Sequence, residues 1–152
     1  MSDLKSLIKN LDVFNYLEEE DIKTVEGYLF PYSYQAGNYV FKEGTHGGYM
    51  FFIANGEVEV IKQFDDKRAT IATLGKGASM GEMSLIDSAK RSATVKACTD
   101  LDLIVLKRED FQKLLDEHPK CANKILMGIT KLLSRSLRQT TQEFTNTMLS
   151  LA

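Results

Sequence analysis

The chain has 152 residues, enough for one domain with its own core and too few for two of ordinary size. Its 19 Lys and Arg against 21 Asp and Glu leave a formal charge of -2, which gives no electrostatic push towards nucleic acid. Two cysteines without paired spacing, Cys98 and Cys121, argue against a disulfide scaffold or a thiolate metal site. With no apolar run near membrane-spanning length and no cleavable signal, a cytoplasmic protein that does not engage a membrane is expected.

Leu4, Leu7, Ile8 and Leu11 mark one face of a short helix that Ser2 or Asp3 can cap. The acidic run Glu18 to Asp21 opens a second helical segment carrying Ile22, Val25 and Leu29, which Pro31 stops. From Phe30 the character changes to short β-rich runs separated by glycines, including Gly37, Gly44, Gly56, Gly75 and Gly81. Strands are predicted at 30–34, 39–41, 49–54, 57–63, 69–74, 93–98 and 101–107, with Cys98 a small core residue of the sixth. Such evenly spaced strands with glycine turns read as a sandwich or barrel, and the lack of strand–helix alternation argues against a doubly wound fold.

Beyond Lys107 the period becomes helical. A short helix carries Phe111, Leu114 and Leu115, and Pro119 then suits the first turn of a long one reaching about Met148. Its stripe runs through Ala122, Ile125, Ile129, Leu133 and Leu137 to Phe144 and Met148. A helix of that length overhangs a domain of this size, which predicts a homodimer through it. The surplus of Lys and Arg on it, from Lys120 to Arg138, reads as a solvated face, the alternative being an acidic effector protein. The chain is expected to be a single domain, 1–152, divided into a helical lead-in (1–29), a β region (30–107) and C-terminal helices (108–152).

His46 in its glycine-rich turn reads as an exposed loop residue, the alternatives being a ligand contact or a proton-sensitive switch. Neither His46 nor His118 has clustered ligands, so no metal is expected. Gly44 to Gly48 lacks the Gly-Lys-Ser/Thr ending of a nucleotide P-loop.

The most informative stretch is Met80 to Ala97. Gly81 allows positive φ or close backbone approach. Glu82 is an acceptor suited to a sugar hydroxyl, the turn Met83–Ile86 offers N–H groups, and Arg91 presents a rigid fork to a phosphate. Alone, Glu82 and Arg91 would read as a surface ion pair. The frame around them, Met80-Gly81-Glu82-Met83-Ser84-Leu85, a spacer, then Arg91-Ser92-Ala93-Thr94-Val95-Lys96-Ala97, closely resembles the phosphate-binding cassette of the cyclic nucleotide-binding domain family. Phe41 to Gly47, Met50 to Ile53 and Gly56 resemble the family's earlier β motif. There Phe41 replaces the usual Val, Ile or Cys, which reads as a core substitution without effect on the ligand. Lys90 replaces a frequent Pro. The resemblance extends from about residue 11 to residue 137.

That resemblance implies a mainly β fold with flanking helices, a double-stranded β-helix or jelly-roll-like β-roll, with a helical lead-in and two C-terminal helices. It implies a cyclic nucleotide as ligand and no other cofactor. Arg91 would meet the exocyclic phosphate oxygens and Glu82 the ribose 2′-OH. Gly81, Met83 and Ser84 would frame the ligand with backbone groups, and Ser92, beside Ala93, would add a hydroxyl or N–H. An apolar residue of 125–133 would close over the base. Ser92 in place of Thr favours cAMP over cGMP. No nucleophile–base pair or paired carboxylates suggest an enzyme. The expected function is a regulatory module passing occupancy through the C-terminal helix. The alternatives are a degenerate β-roll without such a ligand, or the regulatory fragment of a DNA-binding regulator; the chain stops at Ala152 without room for a recognition helix.

Overall fold

The computed structural model describes residues 4–152; the proposed cap at Ser2 or Asp3 lies outside them. Helix α1 (Leu4–Asn10) leads into a 3₁₀ turn (Asp12–Phe14) and helix α2 (Glu19–Glu26). Eight strands follow: β1 (Leu29–Tyr34), β2 (Tyr39–Phe41), β3 (Tyr49–Asn55), β4 (Val58–Phe64), β5 (Lys67–Leu74), β6 (Ser79–Met80), β7 (Thr94–Ala97) and β8 (Leu101–Lys107). Helix α3 (Met83–Ile86) interrupts them after β6, and α4 (Arg108–Glu117) and α5 (Pro119–Leu151) complete the described chain.

The strands form two four-stranded antiparallel sheets, ordered β1-β8-β3-β6 and β2-β7-β4-β5. This corrects the expected jelly-roll-like β-roll. Each sheet keeps two edges, and no strand ladder joins β1 or β6 to β2 or β5, so the sheets are not closed into a roll. Closure would need ladder hydrogen bonds across those edges, but β6 has two residues and β2 has three with a register shift. Nor is the protein mainly β. Helical residues outnumber strand residues, because α5 alone runs for 33 residues.

Two apolar layers hold this arrangement. Phe51, Ile53, Leu103 and Val105 face Val58, Val60 and Val95 between the sheets. The alternate residues Met50, Phe52, Ile104 and Leu106 face the helices. Strands β3 and β8 are thus buried on both faces, which is why Met50–Ile53 and Leu103–Leu106 are unbroken apolar runs without polar alternation. Phe14 of the 3₁₀ turn packs on Phe52 with centroids 5.0 Å apart, and α5 adds Ala122, Ile125 and Ile129 to the same layer.

Three local readings change. Leu29 belongs to β1, not to the preceding helix; Pro31 lies in the same strand, as the strand at 30–34 predicts, and β1 is an edge strand, where proline is tolerated. Cys98 lies just past β7 and is exposed, whereas Cys121 is buried, which pushes its thiol up to about 11. The long helix extends to Leu151.

Helix α5 is tied to α2 by Lys124 Nζ, 2.6 Å from Asp21 Oδ2, which also accepts the Glu18 N–H at 2.9 Å. Burial raises the Asp21 pKa, but the Lys124 and Glu18 hydrogen bonds prevail and hold it below the usual carboxylate range. A depressed carboxylate favours the folded state above its unfolded pKa and loses that contribution as pH falls through the folded value. The melting temperature is therefore expected to fall below about pH 4. Asp21→Asn should melt lower at neutral pH and show a shallower acid limb in thermal scans. An unchanged acid limb would remove Asp21 from the account.

Candidate functional site

Arg91 is the least ordinary side chain of the molecule. It is only 6% exposed, and no carboxylate lies within salt-bridge distance of it among the described residues. Its Nη1 donates to Ser84 Oγ at 2.8 Å and its Nη2 to the Tyr49 carbonyl at 2.9 Å, while the buried Nε has no partner. The guanidinium carbon lies 4.1 Å from the Phe41 ring centroid and 4.7 Å from that of Tyr49, over both rings. Burial pushes the Arg91 pKa down and Tyr49 and Glu82 pull it back, but a guanidinium remains cationic in a protein. Burial also raises the Tyr49 phenol.

The backbone is cut to fit this group. Gly81 has φ +78°, and a Cβ there would lie 2.5 Å from Arg91 Nη1 and 2.9 Å from the Tyr49 carbonyl. At Gly47 a Cβ would lie only 2.2 Å from Ser84 Oγ. A side chain at either place would displace the guanidinium or the hydroxyl that receives it. The strand entry is pinned from outside. Arg91 N–H donates to the Thr45 carbonyl at 2.7 Å, and Lys62 Nζ donates to the Ser92 carbonyl.

Above Arg91 opens a cavity of about 470 Å³. All seven residues singled out from the sequence, Gly81, Glu82, Met83, Ser84, Arg91, Ser92 and Ala93, line it. Glu82 sits half-buried at the head of α3, beyond ion-pair distance of Arg91, so the acceptor and the cation occupy the same wall without neutralising each other. Met83 is exposed and Ser84 buried. A second cavity of about 340 Å³ shares Leu74, Ser79 and Ser136 with the first and continues beneath α5.

The cavity also holds residues the sequence did not assign to it. Phe41 packs on the inter-sheet core, as a core substitution should, and also lines the cavity and contacts Arg91, which the sequence did not show. From α5 the lining residue is Ser136, beyond the 125–133 segment; Ile125 and Ile129 are committed to the helix-side core. Tyr49 was legible only as one more apolar strand residue. His46 is exposed, pairs through its backbone with Lys90 and does not line the cavity.

Residues 31–118 match the family described as "Cyclic nucleotide-binding domain", which is more than half of the chain. The chain belongs to the cyclic nucleotide-binding domain family. It is a non-catalytic regulatory domain of that family, related to catabolite activator-like regulators and to kinase regulatory subunits. The crystal structure of a cyclic nucleotide-binding domain from Methylobacillus flagellatus superposes with a TM-score of 0.85 at 31% identity, covering 96% of this chain and 83% of that one. The Cyclic AMP receptor protein of Thermus thermophilus is 32% identical over 133 residues, 87% of this chain and 60% of that protein. The cGMP-dependent protein kinase of Plasmodium berghei is 35% identical over 114 residues, 75% of this chain and 13% of the kinase. The chain thus spans less than two thirds of the length of each of these two relatives. Within the cyclic nucleotide-binding domain, no described helix is long and apolar enough to cross a membrane, and no described cluster of His, Cys, Asp and Glu could hold a metal ion.

Proposed function

We propose that residues 1–152 act as one cytoplasmic cyclic nucleotide-sensing unit that prefers cAMP and passes occupancy to α5. The observation that carries this reading is the buried Arg91 guanidinium, which has no carboxylate partner and keeps an unpartnered Nε beside the 470 Å³ cavity. A buried charge without a counter-ion is costly, and an anion entering the cavity would offset that cost. The exocyclic oxygens of a cyclic phosphate would take the guanidinium, with Ser92 adding its hydroxyl or N–H. Glu82, which accepts but does not donate when ionised, would receive the ribose 2′-OH. Gly81, Met83, Ser84 and Ala93 would frame the sugar-phosphate closely. The preference for cAMP rests on Ser92 after the arginine and on the relative named for cyclic AMP; the relative named for cGMP makes the other base the competing outcome.

Calorimetric titration with cAMP and cGMP at fixed salt tests the reading. Micromolar or tighter binding of cAMP, with cGMP weaker, is expected. Absence of heat with both at millimolar ligand would overturn it and favour a degenerate member of the family.

Occupancy can regulate only if the ligand favours one position of α5 over another. Ser136 on the cavity wall gives the helix a direct stake in what fills it. Beyond Ser134 every residue of α5 is exposed, and Leu137, Phe144, Met148 and Leu151 project large apolar groups. We assign this free stripe to a homodimer contact, spaced as in a short coiled coil, with an effector protein reading the resulting arrangement. Light scattering should give twice the chain mass for the wild type and the monomer mass for Leu137→Glu/Phe144→Glu. A monomeric wild type at micromolar concentration would sink the dimer.

A further inference from the structure

We infer that Phe41 and Tyr49 form an aromatic clamp that positions Arg91 in place of a carboxylate in contact with it, so that no acidic side chain occupies its donors before the ligand does. The inference rests on reading the cavity as a cyclic phosphate site and assigns a positioning role to a residue that sequence reasoning dismissed.

A carboxylate is the usual neighbour of a buried guanidinium, and it occupies the donor fork it neutralises. Here the neighbours are a hydroxyl, a carbonyl and two ring faces. The negative face of an aromatic ring attracts a cation, more strongly once water is excluded, without accepting the N–H groups along the edge of the guanidinium plane. The clamp therefore fixes the group while the buried Nε stays without a hydrogen-bond partner.

The two rings are themselves set by the fold. Phe41 ends β2 at the register shift against β7, and such irregularities re-aim a side chain out of the ladder's alternation. Its ring also packs edge-on against Phe51, with centroids 5.8 Å apart. Tyr49 lies 6.4 Å from the same Phe51 ring, and its hydroxyl donates to the Val40 carbonyl at 3.3 Å, one residue before Phe41. Phe51 is fully buried, so both clamp rings lean on one fixed point. Gly47 and Gly81 close the remaining sides, where a methyl group would collide with Ser84 or with Arg91 itself.

Phe41→Val keeps an apolar residue at the end of β2 and removes the ring. It is expected to bind cAMP about tenfold more weakly, and Phe41→Tyr, which restores a ring face, should return to near wild-type affinity. Phe41→Leu, which restores most of the apolar volume without a ring face, should stay weak, an order that a lost hydrophobic contact alone would not impose. A second readout needs no ligand: in the free wild type, the Arg91 Nε–H proton resonance should be shifted upfield by the ring currents, a shift lost in Phe41→Val and kept in Phe41→Tyr. Wild-type affinity in Phe41→Val, or an unshifted Arg91 resonance in the free wild type, would overturn the clamp while leaving the binding reading intact. A wild type that binds neither cAMP nor cGMP would overturn the reading beneath it and, with it, any role of the clamp in binding.

Discussion

Arg91→Met is expected to abolish measurable cyclic nucleotide binding, a loss of about 10²–10³-fold, without lowering the melting temperature of the ligand-free protein. The two halves of this result have one cause. In the free protein the guanidinium is desolvated and meets only neutral partners: Ser84 Oγ, the Tyr49 carbonyl and two rings. Buried charges replaced by apolar groups of similar volume are often neutral or stabilising. Methionine fills much of the space and leaves Ser84 and the Tyr49 carbonyl to find other partners, so the stability terms nearly cancel. With ligand bound, the same charge faces a phosphate, and removing one member of a desolvated charge pair costs about 2–5 kcal/mol. At a hundredfold excess over Kd, ligand should stabilise the wild type by about 2.7 kcal/mol and raise its melting temperature by roughly 5–10 °C. Thermal scans with and without cAMP read both halves together. A variant that keeps the ligand-induced rise would remove Arg91 from the site. A variant that melts far below the wild type would mean that the clamp stabilises the fold more than burial of the charge costs it. Glu82→Ala should weaken binding less, because it loses a hydrogen bond and not the counter-charge.

How much of this could be read beforehand depended on whether the determinant was local. The turn at α3, the glycine beside Arg91 and the gathering of seven cassette residues on one wall follow from a continuous segment whose residue types constrain one another at short range. Sheet closure did not follow. Glycine turns at regular intervals announce strands, but whether the last ladder closes depends on hydrogen bonds between strands far apart in sequence. Leu29 was misplaced because it continues the helical period of Ile22 and Val25, and only the pairing of β1 with β8 assigns it to the strand. Cys98 continued the alternation of β7 by one residue too many. The contact of Phe41 with Arg91 was illegible for a different reason. Apolarity says that a ring is covered, not by what, and here the ring is covered by Phe51 on one side and by a cation on another. Ser136 carried no signal at all, since a small polar residue on a long helix reads as solvent-facing until the helix is placed across the cavity.

The placement of that helix leads to the second large effect. Gly128→Ala is expected to lower stability and to weaken cyclic nucleotide binding together. At Gly128 the helix backbone rests against the 3₁₀ turn: an added Cβ would lie 1.8 Å from the Val13 carbonyl oxygen and 2.6 Å from its carbon. Val13 is itself buried, so neither side can step aside into solvent. Relief requires the helix to withdraw from the turn by more than about 1 Å, given ordinary carbon contact distances. Replacing a helical glycine with alanine gains about 1 kcal/mol in propensity, whereas forcing a methyl into a packed contact costs about 1–3 kcal/mol. The severity of this overlap places the substitution at or beyond the upper end of that range. A net loss of about 2 kcal/mol corresponds to a melting temperature lower by roughly 4–8 °C. The ion pair between α5 and the 3₁₀ turn does not compensate. Arg135 and Asp12 pair at 3.4 Å with both side chains more than half exposed, and such a pair contributes little. Ser136 lies two turns beyond Gly128 on the same rigid element, so a withdrawn helix carries it away from the cavity wall. If α5 is the element that reports occupancy, the variant should lose ligand affinity in proportion to that withdrawal, and a dimer formed through the outer stripe should change with it. An unchanged melt would mean that the 3₁₀ turn yields instead of the helix. An unchanged affinity beside a lowered melt would mean that the cavity is complete without α5, and the route from ligand to helix would have to begin elsewhere.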